Sequence, residues 1–139
     1  MSDIAEGNAF LPGFQERFNA RFSVTAARAE NSLPDDHDVV LVANAVHMFS
    51  VVHNLELLQK SRAAVQAGAQ LLLVDLWTDP THSNPAAAAL MSGAFLLTSG
   101  EGQTYSEQDA GEWLNRTGWR KRERKALAGA TSLIVAEAI

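Results

Sequence analysis

Apolar residues in this chain come in blocks, and the block from Asp38 to His47 (Asp-Val-Val-Leu-Val-Ala-Asn-Ala-Val-His) orders the rest. An acidic residue, a nearly unbroken run rich in β-branched Val and a terminal imidazole predict a strand buried on both faces, the pattern of a parallel sheet covered by helices. Such a strand delivers its last residue to the carboxyl edge of the sheet, where open α/β folds bind their ligands. Topology therefore puts His47 at the expected mouth of a site. Gln70 to Trp77 repeats the pattern, with Asp75 near its carboxyl end. Between the two, Asn54 to Gln66 carries Leu55, Leu58 and Val65 on roughly one stripe, with Gly68 just beyond as a C′ residue, which predicts a crossover helix. Strand, helix, strand make one right-handed βαβ unit. Neighbouring strands lie about 4.8 Å apart, so His47 and Asp75 can meet at one edge.

The flanks are less regular. Met1 to Asn8 is polar and expected to fray. A short helix is predicted over Pro12 to Ala20, where Phe14 and Phe18 stand at i, i+4. Phe22 to Ala27 reads as a strand, and Pro34, Asp35 and Asp36 as the turn into the block at Asp38. Beyond Trp77 comes a loop dense in turn formers, then Asn84 as N-cap and Pro85 at the first helical position, opening a helix from Ala86 to about Leu97. That helix has almost no polar face, so it is expected to be covered on more than one side. Gly100 and Gly102 fall in a loop after a helix and not after a strand, which argues against a phosphate cradle. Ser106 caps a last helix in a near capping box with Asp109, with Trp113 and Leu114 inward and Gly118 at its end. Trp119 to Lys125 and Ser132 to Ala138 predict a terminal antiparallel strand pair.

Composition narrows the class. With 139 residues and 47% hydrophobic content, the chain is expected to form a single domain with a packed core. No apolar run is long enough to span a membrane, and the amino terminus lacks the basic start and apolar segment of a signal peptide, so a soluble, cytoplasmic protein is expected. The absence of cysteine excludes disulfides and thiolate metal sites, and four scattered His form no ligand cluster, so no metal is expected. A net charge of −5 argues against a nucleic-acid partner. The basic run Arg120, Lys121, Arg122, Arg124 and Lys125 reads as a solvated edge strand.

From the residues alone, His47 is either a histidine that closes a buried strand or a base at the site mouth, and Asp75 either a capping carboxylate or its partner. The motifs, taken in order, carry a resemblance. Asp-Val-Val-Leu-Val-Ala-Asn-Ala-Val-His, then Leu-Leu-Leu-Val-Asp, then Gly-Glu-Gly-Gln-Thr-Tyr-Ser-Glu-Gln-Asp, then Thr-Gly-Trp and a final Ser-Leu-Ile-Val-Ala resemble the S-adenosylmethionine-dependent small-molecule O-methyltransferases. The resemblance runs from about Arg21 to the end and covers the carboxyl-terminal part of that family's catalytic domain, with residues 1–20 as a leader. It implies an α/β fold, a partial class I methyltransferase (Rossmann-like) sheet, mostly parallel with a terminal antiparallel pair and helices on its faces.

The same resemblance implies His47 as catalytic base and Asp75 as the acidic residue supporting it. It places Arg28, Ala43 and Asn44 at cofactor-facing positions, and Met48, Phe49, Met91 and Phe95 at acceptor-facing ones. Arg28 stands where the family usually has an acidic residue, Met48 and Phe49 where Asp-Trp commonly follows the histidine, and Thr104 where plant members carry a second acidic catalytic residue. The Gly-rich loop and ribose-binding carboxylate of the family's first half are not in this sequence, so weak or absent S-adenosylmethionine binding is expected of the isolated chain. Two readings follow. One is methyl transfer to a hydroxyl of a small molecule, together with a cofactor-binding half or a partner chain. The other is a non-catalytic methyltransferase-like module for binding or assembly. A homo-oligomer or a partner chain is expected in either case.

Overall fold

The computed structural model describes residues 37–139, which lie within one compact unit, Ser32–Ile139. The expected leader, the helix over Pro12 to Ala20, the strand over Phe22 to Ala27, Arg28 and the turn at Pro34 to Asp36 all lie outside the described residues. The elements in order are β1 (His37–Ala43), a 3-10 turn (Val46–Met48), α1 (Val51–Ala63), β2 (Val65–Thr78), α2 (Ala86–Ser99), β3 (Tyr105–Ser106), α3 (Glu107–Arg116), β4 (Trp119–Ala126) and β5 (Thr131–Ala138). The sheet order is β1-β2-β5-β4, with the two-residue β3 on the carboxyl end of β2. It starts parallel, β1 on β2, and ends antiparallel, with β5 between β2 and β4.

One face of the sheet carries the core. Register places Val40 and Val42 of β1 beside Leu71 and Leu73 of β2, and these beside Ala136 and Ile134 of β5. All six are buried, together with Leu58 of α1, Trp113 and Leu114 of α3, and Trp119. Asp75 and Trp77 continue this face along β2, because side chains of one strand face recur every second residue. The expectation of a strand buried on both faces fails for β1. Its alternate residues Val39 and Leu41 are 50% and 48% exposed, because no described element covers the second face.

Three boundaries differ from the sequence expectation. The chain leaves β1 at Ala43, and Asn44 takes φ +51, so His47 sits in the 3-10 turn and not on the strand end. The crossover helix starts at Val51 with Ser50 as N-cap and ends at Ala63, so Val65 opens β2. Gly68 is therefore no helix cap: at φ +90 it lies in β2 where the pairing with β1 shifts register, a bulge position that glycine suits. In α2 the N-cap is Pro85, and Asn84 instead turns its amide to Asp79 at 3.1 Å. Asp79 out-competes the helix terminus because it also gathers Thr81 and the backbone N–H groups of Ser83 and Asn84. These donors, led by the Ser83 N–H, hold its carboxyl well below the usual carboxylate range.

The Ser106 capping box forms as expected: Ser106 Oγ accepts from Asp109 N at 3.1 Å, and Asp109 Oδ2 accepts from Ser106 N at 2.8 Å. The α2 helix is not covered all round. Ala88 and Phe95 are buried, whereas Leu90 and Leu97 are 80% and 88% exposed.

Candidate active site

The site is built at the carboxyl ends of β1 and β2. Asn44 N donates to Val74 O at 2.8 Å, which ties the chain leaving β1 to the neighbouring strand just before it enters the 3-10 turn. That turn presents His47 to Asp75, with Nδ1 2.6 Å from Oδ1. The carboxylate is buried and has three neighbours: the ring, Leu76 N at 2.8 Å on Oδ1, and His47 N at 3.3 Å on Oδ2. With Asp75 accepting from its own backbone neighbour, the His47 ring nitrogen beside it is assigned as the N–H donor, which leaves Nε2 as the acceptor. The Phe95 ring stacks on the imidazole, with centroids 3.9 Å apart and planes 24° from parallel.

A second set of contacts fixes the turn. Asn54, buried in α1, donates from Nδ2 to Val46 O at 3.0 Å and to Phe49 O at 3.3 Å. Tyr105 Oη donates to the same Phe49 carbonyl at 2.6 Å, and burial, followed by the charges of Glu101 and Asp109, pushes its phenol above the ordinary value. Tyr105 therefore stays a donor across the neutral range. His53, at the start of α1, meets Glu101 at 2.8 Å, and this contact holds the Glu101 carboxyl below its usual range.

The residues expected at the site do not all gather there. His47, Asp75 and Phe95 form one cluster. Met48 is 37% exposed beside His47 in the turn, and Met91 is 41% exposed one helical turn before Phe95. Phe49 contributes its carbonyl to the frame. Ala43 and Asn44 are exposed at the end of β1. Thr104 is buried, its N–H donates to Ser92 Oγ at 3.2 Å, and its own hydroxyl has no hydrogen-bond partner. Asn54, Tyr105 and Gly102 were missed from the sequence. Asn54 stands at the expected first residue of the crossover helix, and only the earlier start of that helix at Val51 puts its amide inside the fold, where a buried polar group needs a partner.

The remaining chemistry is dispersed. Among the described residues no three His, Asp or Glu side chains are grouped to hold a metal. No helix among them is long and apolar enough to cross a membrane. The basic run of β4 is largely paired: Lys121 and Arg124 both reach Glu107, Arg122 reaches Glu137, and Lys125 reaches Glu123.

The sequence profile of the O-methyltransferase domain matches residues 5–120. The tetracenomycin polyketide synthesis 8-O-methyl transferase of Streptomyces glaucescens is 28% identical over 98 residues, 70% of this chain and 29% of that protein. An O-methyltransferase family 2 protein from Planctomyces limnophilus, solved in complex with apigenin, superposes with TM-score 0.75 at 22% identity, over 79% of this chain and 32% of that one. Human N-acetylserotonin methyltransferase, solved in complex with S-adenosylmethionine, superposes with TM-score 0.71 at 21% identity, over 78% of this chain and 31% of that one. The chain thus spans between 25% and 29% of the length of the curated relatives it matches, and its fold is a part of the class I methyltransferase sheet. By the profile match over most of its length, the chain belongs to the S-adenosylmethionine-dependent small-molecule O-methyltransferase family.

Proposed function

We propose that this chain is the base-bearing part of an enzyme that transfers a methyl group to a hydroxyl of a small molecule, with His47 as general base. The observation that carries the reading is the 2.6 Å contact between His47 Nδ1 and the buried Asp75 carboxylate. A hydroxyl attacking a methyl group must lose its proton. An imidazole whose Nδ1–H is committed to a carboxylate offers Nε2 to receive it, and the carboxylate stabilises the imidazolium that results. Met48 and Met91, exposed near His47 and Phe95 in sequence, supply adaptable apolar surface for an acceptor ring.

In this family S-adenosylmethionine supplies the methyl group. The described residues do not by themselves fit it: Ala43 has no polar side chain to offer, the Asn44 N–H is already spent on Val74 O, and of these two residues only Asn44 brings a polar side chain to the end of β1. A cofactor-binding half, carried elsewhere in the same protein or by a partner chain, would complete the site. The exposed leucines of α2 support a partner or a second copy on that face.

The test pairs the chain with a cofactor-binding half of a relative. Isothermal titration of the chain alone should show no S-adenosylmethionine affinity in the low micromolar range, about −8 kcal/mol. In the complemented protein His47→Gln should lower kcat by about 10² to 10⁴ with KM little changed. Full turnover by folded His47→Gln protein would overturn the assignment.

A further inference from the structure

The Gly100-Glu101-Gly102 stretch is the sequence motif that the site so far leaves unexplained, and its two glycines serve different ends. Gly100 closes α2 in the left-handed region at φ +81, with open space where a side chain would go. Gly102 is the reverse case. Its φ lies outside that region, but a Cβ there would collide with the His47 carbonyl oxygen, lie 2.6 Å from Ser99 Oγ and touch the Met48 backbone. The demand at 102 is for space and not for a special backbone conformation.

We infer that Gly102 and Phe95 are positioning residues for His47, two jaws of a clamp that holds the imidazole against Asp75. The inference rests on the reading of His47 as the base. Phe95 lies on the ring face at 3.9 Å, so the imidazole cannot swing about its outer bond without leaving that contact. Gly102 lies against the backbone of the same residue and sets how far the turn stands from the sheet. The jaws are joined through Ser99, whose Oγ donates to Phe95 O at 2.8 Å and accepts from Gly102 N at 2.7 Å. Asn54 and Tyr105 brace the turn from the side of α1 and β3. One connected unit therefore controls both the height and the rotation of the ring, the two variables that a 2.6 Å contact to a buried carboxylate requires.

The test is nitrogen and proton NMR of the full chain with labelled histidine. Wild-type His47 should appear as the Nδ1–H tautomer, with a slowly exchanging Nδ1 proton and ring protons shifted by the Phe95 ring current. Gly102→Ala should lose the slow proton and average the tautomers while the fold, followed by circular dichroism, persists. Gly93→Ala, in the α2 helix that carries Phe95 and with nothing within 4 Å of the added carbon, should keep the wild-type spectrum. Phe95→Leu should lose both the ring-current shift and the fixed tautomer, and Phe95→Tyr should restore both. In the complemented enzyme Gly102→Ala should lower kcat more than it changes KM, by up to about 10²-fold for a misplacement near 1 Å. A folded Gly102→Ala chain with the wild-type tautomer and exchange would overturn the clamp. If that variant does not fold, Phe95→Leu decides, and an unchanged His47 spectrum there overturns it equally. Undiminished transfer by His47→Gln would remove the base reading instead, while the spectra still judge the clamp.

Discussion

Replacing Asp75 by Asn probes the buried half of the site without removing its volume. The carboxylate is 1% exposed and receives His47 Nδ1 and Leu76 N on one oxygen and His47 N on the other. An Asn that keeps its oxygen toward the ring turns its amide N–H groups on the His47 backbone N–H, donor against donor. Flipped, it turns them on Leu76 N and the ring. Either orientation leaves one buried backbone N–H without an acceptor, which costs about 1–3 kcal/mol. For a chain of 139 residues that lowers Tm by roughly 4 °C per kcal/mol. Because Asp75 and His47 touch, His47→Gln and Asp75→Asn should not add: the double-mutant cycle, read from urea denaturation with unchanged m, should give a coupling of about 1 kcal/mol or more. Additivity within about 0.5 kcal/mol would refute the claim that this contact holds the ring. In the complemented enzyme Asp75→Asn should lower kcat less than His47→Gln, since a ring without its orienting partner can still accept a proton.

Two further outcomes are expected. Hydrogen bonds from Lys121 first and Arg124 next hold the Glu107 carboxyl below its usual range, so its folded value lies under its unfolded one. Its stabilisation is complete above about pH 4.3 and is lost as pH falls through the folded value. Glu107→Gln should therefore flatten the acid limb of a denaturation-midpoint profile while costing at most about 1 kcal/mol at neutral pH; an unchanged acid slope would count against it. The exposed Leu90 and Leu97 of α2 are expected to drive self-association, visible by sedimentation and reduced in Leu97→Glu. A wild-type chain that sediments as a clean monomer at roughly tens of micromolar would refute this.

Much of the architecture was legible because local pattern and final packing agree there. The apolar blocks at 38–47 and 70–77, the segment between them and the terminal pair of one charged and one apolar strand gave β1, α1, β2, β4 and β5 in their order. The Ser106 cap was readable at residue level, since a capping box is satisfied within three residues of chain. The approach of His47 to Asp75 followed from parallel neighbours delivering their carboxyl ends to one edge.

What sequence alone could not decide is whatever depends on residues distant along the chain. Whether β1 is covered on one face or two depends on which elements lie over it, and Val39 and Val40 are identical residues with opposite fates. The crossover helix starts at Val51 and not at Asn54, and the Asn54 amide inside it donates to the Val46 and Phe49 carbonyls, acceptors brought into reach only once the chain turns after Asn44. Phe95 reads equally well as core, acceptor contact or ring support until α2 is laid beside the turn, 48 residues after its imidazole partner. Gly102 differs from Gly100 in nothing that a sequence shows. The difference lies in what stands opposite: open space for one, and for the other the carbonyl of His47.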